Sequence, residues 1–384
     1  MIIKDNIDEV HKRENAFANI KNIINTRGRE YIYDFTGLSG GFLATLDDLE
    51  LLETYVGPAI FEEKLQYEGK KHLGGEKIFA VNRTSSGILA TILSLVPQNG
   101  KVQHFLKEKP GHPSIKRACG LLSAEYTEHT DIDNFIVENN TNLIIITGSN
   151  MDHETLNEDV FKEIINKAHE KNLPVLVDDA SGARIRTAVY NQKKATELGA
   201  DLVVTSTDKL MKGPRGGLMA GKKELIDKVK SKATQFGLEA QPPSILAILK
   251  GLEEYNPENL KKSLNKKKEL LHLLKKDYNC FKETPTGIMV KEEDLIKTLN
   301  CENNNLSSKD LNSLWAMILL KDEGIITIPA VGMPSASSTV RFDLASPDSE
   351  RLSNVELIEK IESTLKKVKK VMNNTELSKK IILG

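Results

Sequence analysis

The sequence predicts an α/β protein: a mostly parallel sheet sandwiched by helices, followed by a smaller α+β domain. Three observations carry that expectation. Short continuous apolar runs alternate with helix-like segments through the middle of the chain, the pattern of strands covered on both faces. Two of those runs end in polar groups, Asp178 in one and Lys209 a few residues past the other. Near Gly237 the composition changes, and a highly charged stretch replaces the alternation.

Taken in order, residues 1–45 read as an N-terminal arm. It holds a polar helix from about Val10 to Asn25 and then the segment Tyr31 to Phe42. Residues 46–238 form the large domain, with strands expected at Ile78–Val81, Val102–Phe105, Leu143–Thr147, Val175–Val177 and Leu202–Val204. Helices are expected at Gly87–Leu95, Ser114–Leu122, Asn157–Glu170 and Asn191–Leu198, and Leu210–Gly221 reads as a glycine-rich loop. Residues 239–384 form the small domain. Pro242-Pro243 opens a helical stretch broken near Asn256-Pro257 and running to about Lys276. Gly287–Lys291 follows, then a helix from Ser308 to Asp322, strands at Ile325–Ile328 and Thr339–Asp343, and a closing helix from Ser349 to about Val371. The lysine-rich Leu260–Lys276 stretch reads first as a solvated helix face and only secondarily as a tRNA contact.

The bulk properties narrow the function classes. At 384 residues the chain suits two domains, and 39% hydrophobic with 28% charged residues is ordinary for a soluble globular protein. With 53 basic and 54 acidic side chains the net charge is −1, so no large nucleic-acid footprint is expected. No run approaches the ~20 apolar residues of a membrane span, and the N-terminus lacks a signal-peptide core. Cys119, Cys280 and Cys301 are too scattered for a disulfide framework or a zinc site, which favours a reducing cytoplasm and no metal.

The chemistry concentrates at strand ends. Lys209 follows a buried strand among small hydroxyl residues, and its amine can condense with an aldehyde cofactor. Asp178 ends the preceding strand, and the 31 residues between them leave room for a crossover helix. A carboxylate for a pyridinium nitrogen and an amine for an aldehyde are the two partners that pyridoxal 5′-phosphate requires. Asn82–Gly87 follows a strand and opens a helix, so Ser85, Ser86 and Gly87 offer hydroxyls and backbone N–H groups to a phosphate; an ordinary helix cap is the alternative. Ser206 or Thr205 could add a hydroxyl. His112, in a loop before a helix, could stack on the cofactor ring or be a surface histidine. Asp179 is expected to be structural, capping a turn or pairing with Arg184. Arg341 lies inside an apolar strand, where a guanidinium is costly unless paired; it suits a substrate carboxylate or an internal ion pair with Asp343. His72, His104 and His153 receive no role.

Together, Asn82–Gly87, Gly111–Ile115, Asp178–Gly182, Ser206–Lys209 and Arg341 resemble fold-type I pyridoxal-phosphate enzymes of the aspartate-aminotransferase superfamily. The stretch Ser206–Gly217 is similar to bacterial selenocysteine synthase, and the chain from about Tyr33 to Lys369 resembles an archaeal group of selenocysteine-synthase-like proteins. That resemblance implies a Schiff base at Lys209, a pyridine-nitrogen contact at Asp178, ring stacking by His112 and phosphate held around Ser85, Ser86 and Gly87. For Arg341 it implies a carboxylate role. It also implies a homodimer with interfacial active sites, the arm around Phe35–Phe42 covering the partner's site. Only a short arm precedes the catalytic region, a departure from the bacterial enzyme that sets the expectation against seryl-tRNA as substrate. The leading expectation is therefore an enzyme that acts on a small amino acid by β-elimination or β-replacement. Racemisation, aldol cleavage and transamination use the same lysine. An aminoacyl-tRNA-modifying enzyme and a non-catalytic cofactor-binding protein are the alternatives. A desulfurase would need a mobile cysteine, for which Cys301 is the candidate.

Overall fold

The computed structural model describes residues 1–38, 40–275, 278–299, 306–334 and 336–384; Cys301 and the end of the lysine-rich stretch lie outside them. The chain divides into two compact units, residues 40–257 and residues 1–39 with 258–384.

The first unit is built on a seven-stranded sheet: β1 (Lys77–Val81), β2 (Lys101–Phe105), β3 (Glu125–His129), β4 (Thr141–Thr147), β5 (Val175–Asp178), β6 (Leu202–Ser206) and β7 (Gly217–Gly221). Its order is β1-β7-β6-β5-β4-β2-β3. Every pairing from β6 through β3 is parallel, and β7 alone runs antiparallel, between β6 and β1. Two of these strands fall outside the sequence expectation. The Gly217–Gly221 segment was expected as loop on its glycines, yet all five residues are buried; small side chains suit a position covered on both sides by helices. Strand β3 is an edge strand, half-exposed and polar along its length, so it has no apolar run to betray it.

Helices cover both faces: α2 (Val56–Leu73), α3 (Thr84–Leu95), α4 (Pro113–Leu121), α5 (Glu158–His169), α6 (Lys223–Gln235) and α7 (Pro242–Glu253); α1 (Asn6–Arg27) belongs to the other unit. The expected helix at Asn191–Leu198 reduces to one 3₁₀ turn, Ala195–Leu198. A turn of α-helix and a π-helical turn at Gly182–Val189, not expected, follow β5 directly.

Strand parity sorts the core into two layers. Val102, Leu143, Ile145, Leu176, Leu202 and Val204 face α3, α4 and α6. Ile144, Ile146, Val175, Val177 and Val203 face the opposite way, toward α5 and α7. Because Ile248 and Leu252 of α7 join that second layer, α7 belongs with the sheet. The composition change at Gly237 therefore marks the end of the sheet and not a unit boundary.

The second unit contains α1, α8 (Glu258–Leu274), α9 (Glu292–Leu299), α10 (Ser308–Glu323), α11 (Asn354–Val371) and α12 (Thr375–Leu383). They pack around an antiparallel sheet of order β10-β9-β8, formed by β8 (Lys282–Glu283), β9 (Gly287–Val290) and β10 (Val340–Asp343). Its core centres on Trp315, Phe281 and Phe342. The chain start is tied in by the backbone N–H groups of Ile2 and Ile3, which donate to Asp310 at 2.8 and 2.9 Å. Residues 1–38 are thus part of this core, where a separate arm was expected. Only Ile325–Ile326 of the expected strand extends, pairing with Tyr33–Asp34; Pro329 then sits in the first turn of a short helix.

Candidate functional site

Continuing each strand by two residues places its end on the same face as its core residue. Val102 leads to His104, Ile145 to Thr147, Leu176 to Asp178 and Val204 to Ser206, all at carboxyl ends on the α3 side of the sheet. Open parallel sheets bind ligands at this edge. There the structure holds a cleft whose lining includes Thr84, His112, Thr147, Asp178, Ala180 and Lys209. Among the expected residues, Lys209, Asp178 and His112 therefore come together.

Asp178 is buried, and its Oδ1 has no hydrogen-bond partner. Burial pushes its pKa up to about 6, against the opposing effect of the Lys209 charge; Asp179 adds to the rise. A buried acceptor without a donor is rare, and here it faces a cleft. Asp179, one residue on, points to the other face by parity. Its carboxylate is held by Arg186, with Nη2 at 2.5 Å and Nε at 3.2 Å. This corrects the expected pairing with Arg184, whose guanidinium is committed to backbone carbonyls. Arg184 instead donates to the carbonyls of Ala180 at 2.8 Å and Ser206 at 2.6 Å. It thereby ties the chain just past Asp178 to the chain just before Lys209.

Lys209 follows β6 in a turn held from several sides. Leu210, buried beside it, has a φ of 57°, a left-handed conformation that costs a non-glycine residue ~1–2 kcal/mol. Asp208 accepts from the hydroxyl of Ser206 and pairs with Arg215 at 3.2 Å. The carbonyl of Gly213 accepts from Gly41 N–H at 2.8 Å, so the start of this unit braces the lysine loop of its own chain. The Ser206 hydroxyl is thus engaged with Asp208, and Thr205 is committed to the carbonyls of Asp179 and Ala180.

Helix α3 points its N-terminus at the same region. Its N-cap is Arg83, with no side-chain capping bond, so Ser85 and Ser86 occupy the first turn and do not cap it. The N–H groups of Ser86 and Gly87 already reach back to the Arg83 carbonyl at 3.0 and 3.2 Å. Thr84, which the sequence reading passed over, is the member of the segment that lines the cleft. Gly87 has a packing reason of its own: a Cβ there would lie 2.8 Å from Met219 Sδ and 3.1 Å from Val204, so glycine lets α3 approach the sheet.

His112 is the N-cap of α4, and its Nδ1 accepts from the Ser114 backbone and lies 2.7 Å from its hydroxyl. The residue keeps solvent-exposed surface at the mouth of the cleft. The protein around it and the positive charges of Lys209, Arg117 and Arg83 hold its pKa below the ordinary value, leaving a neutral flat ring. Arg341 lies in the second unit, in β10, with its Nε 3.9 Å from Asp343 and Nη2 3.4 Å from the Thr36 carbonyl. Cys119 is buried in α4 and its thiol is pushed up to about 11 by burial, unlike a reactive thiolate.

Comparisons with known proteins bear on the family, the fold and the cofactor. A family profile described as L-seryl-tRNA selenium transferase matches residues 116–306, and one described as UPF0425 C-terminal domain matches residues 277–353. A UPF0425 pyridoxal phosphate-dependent protein of Methanothermobacter thermautotrophicus is 48% identical over 385 residues, covering 100% of both chains. Another, from Methanosphaera stadtmanae, is 49% identical over 373 residues, covering 96% of this chain and 97% of its own. The L-seryl-tRNA(Sec) selenium transferase of Clostridium perfringens is 27% identical over 301 residues, covering 74% of this chain and 60% of the transferase. Among solved structures, the SepCysS–SepCysE N-terminal domain complex aligns with a TM-score of 0.61 at 16% identity, covering 91% of this chain and 98% of that one. N-Succinyldiaminopimelate aminotransferase from Mycobacterium tuberculosis aligns with a TM-score of 0.55 at 14% identity, covering 93% and 89%. The fold is that of fold-type I pyridoxal-phosphate enzymes, and the unpartnered Asp178 oxygen beside Lys209 fits their cofactor. This chain belongs to the UPF0425 pyridoxal phosphate-dependent protein family.

Proposed function

We propose that the protein is an enzyme acting on a small free amino acid by β-elimination or β-replacement. The single observation that carries this reading is the cleft lined by both Lys209 and Asp178, the Asp178 Oδ1 having no donor. Bound pyridoxal phosphate would supply an electron-withdrawing ring that acidifies the substrate Cα–H. Asp178 would hold the ring nitrogen through Oδ1, its charge restored by that contact. His112 would lie flat against the ring, and the α3 N-terminus, with Thr84, Ser85, Ser86 and Gly87, would hold the phosphate. Lys209 would hold the cofactor's aldehyde carbon, and once displaced by substrate would take the Cα proton at Nζ and deliver it to the departing Cβ group, returning a proton to Cα in the replacement branch. Arg341 is the proposed ligand for the substrate carboxylate, a role that suits its planar fork. No helix among the described residues is long and apolar enough to cross a membrane, and a reducing cytoplasm is the proposed setting.

The test is release of a Cβ leaving group. The protein with cofactor, incubated with serine, cysteine or O-phosphoserine, is expected to release ammonia and a keto acid, with sulfide as well from cysteine and phosphate from O-phosphoserine. Turnover of none of them, with label exchange at Cα also absent, would rule out this chemistry. A second reading, in which the amino acid is carried on tRNA, is favoured by the match to the selenium transferase profile over residues 116–306. It predicts salt-sensitive tRNA binding, and a flat salt response would dismiss it.

A homodimer is the proposed assembly. Leu46, Leu49, Tyr55, Val56 and Ile60 are all exposed within fifteen residues, with Tyr55 87% accessible, an apolar surface that a lone soluble chain rarely leaves bare. Light scattering is expected to give twice the 42.7 kDa chain mass, and substitution of Leu46 and Tyr55 by lysine to give the monomer. A wild-type monomer at micromolar concentration would refute the assembly.

A further inference from the structure

His104, given no role from sequence, is fully buried at the carboxyl end of β2. Its Nε2 lies 2.7 Å from the Thr147 hydroxyl and its Nδ1 2.7 Å from the Tyr126 hydroxyl. Tyr126 in turn lies 2.6 Å from Glu128 Oε1, and the same carboxylate oxygen accepts from Gly111 N–H at 3.0 Å. The line crosses three neighbouring strands, β3, β2 and β4, on one face of the sheet. On the next strand Asp178 stands in register with Thr147.

Proton counting fixes the direction of every bond. Ionised Glu128 only accepts, so Tyr126 must donate to it. Tyr126 has no second proton, so its oxygen must accept from His104, whose proton therefore sits on Nδ1. A neutral His104 then has only a lone pair at Nε2, and Thr147 must donate to it. Burial keeps His104 neutral, with its pKa lowered to about 4, and keeps Tyr126 protonated, while Tyr126 and Gly111 hold Glu128 ionised.

We propose that Glu128, Tyr126 and His104 are a one-way relay that fixes Thr147 as an obligate hydrogen-bond acceptor in the cleft, positioned for a donor on the bound cofactor. Thr147 lines the cleft beside Asp178, and with its proton committed to His104 it presents only lone pairs there. It cannot donate to Asp178, so the carboxylate is left for the ring nitrogen. The same Glu128 anchors the loop that carries His112, and Gly111 packs so closely on the His104 ring that a Cβ would lie 2.6 Å from it. Two cleft-lining groups, Thr147 and His112, are thus referred to one carboxylate on the edge strand. These are positioning residues, and the inference rests on the cofactor reading above.

The relay predicts a tautomer that can be read without turnover, and couples it to cofactor affinity. Nitrogen NMR of the ring in cofactor-free protein is expected to show His104 protonated at Nδ1 and bare at Nε2. In Tyr126→Phe the Nδ1 acceptor is gone, so the proton is expected to move to Nε2, turning the Thr147 proton toward the cleft. Pyridoxal phosphate binding should then weaken by about tenfold or more, the loss of one hydrogen bond to a charged or polarised group. Thr147→Val should weaken binding similarly and Thr147→Ser restore it, which keeps the test decisive if Tyr126→Phe does not fold. A wild-type His104 protonated at Nε2 or at both nitrogens would overturn the inference. So would wild-type affinity in Thr147→Val. Wild-type protein that binds no pyridoxal phosphate at all would overturn the proposed site itself, and this role of Thr147 with it.

Discussion

Lys209→Ala is expected to lower turnover by at least three orders of magnitude while leaving the fold intact. The side chain is half-buried at the cleft, and the structure of its turn rests on neighbours: the Asp208–Arg215 pair, the Gly41–Gly213 bond and the left-handed Leu210. Removing the amine therefore costs chemistry and little stability. A positioned general base alone contributes ~10²–10⁴-fold, and in the proposed mechanism the same amine also holds the cofactor. The variant should still take up pyridoxal phosphate through Asp178 and the α3 N-terminus, more weakly and without covalent attachment. Activity within tenfold of wild type, measured with any substrate the wild type turns over, would remove Lys209 from the mechanism.

Asp178→Asn should separate function from stability in opposite directions. An amide cannot hold a protonated ring nitrogen as an anion does, and a loss of about 10²-fold or more in turnover is expected from an effect of ~3 kcal/mol. The cofactor-free protein should gain. A carboxyl whose pKa rises from 3.8 to about 6 on folding favours the folded state fully below pH ~4. That advantage is lost as pH rises through 6, because the folded protein must then ionise a buried group that the unfolded chain ionises readily. At ~1.4 kcal/mol per pH unit the whole difference is roughly 3 kcal/mol. Thermal melts of cofactor-free protein between pH 4 and 8 should therefore show wild type losing stability across that window, and Asp178→Asn losing less. Bound cofactor should abolish the difference by neutralising the buried charge. Parallel curves for the two proteins, with and without cofactor, would mean that Asp178 is not the strained acceptor described here.

The parts of this site legible in the sequence were those that follow from strand parity and from rare chemistry. Asp178 and Asp179 sit side by side, and the alternation of the preceding Val175-Leu176-Val177 decides that they face opposite layers. Lys209 stood out because a lysine after a buried strand among small hydroxyls has few structural uses. The relay could not be read, because its members come from three strands and one of those strands, Glu125–His129, is polar, half-exposed and without an apolar run. That Asp179 pairs with Arg186 and not Arg184 depends on the path of the chain through Gly182–Val189, an α turn followed by a π turn that the local sequence does not announce. Thr84 was passed over for Ser85 and Ser86, although the cap lies at Arg83 and the cleft meets the first residue of the helix. The glycine-rich β7 reads as loop because its small residues answer to the helices covering it, a tertiary demand that local propensity does not register.

Reductive trapping tests the central claim most directly. Wild-type protein incubated with pyridoxal phosphate, treated with borohydride and mapped by mass spectrometry should carry the cofactor on the peptide containing Lys209, at one equivalent per chain. The same treatment of Lys209→Ala should leave no labelled peptide. Label on another lysine, or none on a folded protein that binds the cofactor, would contradict the assignment of this cleft as the site of chemistry.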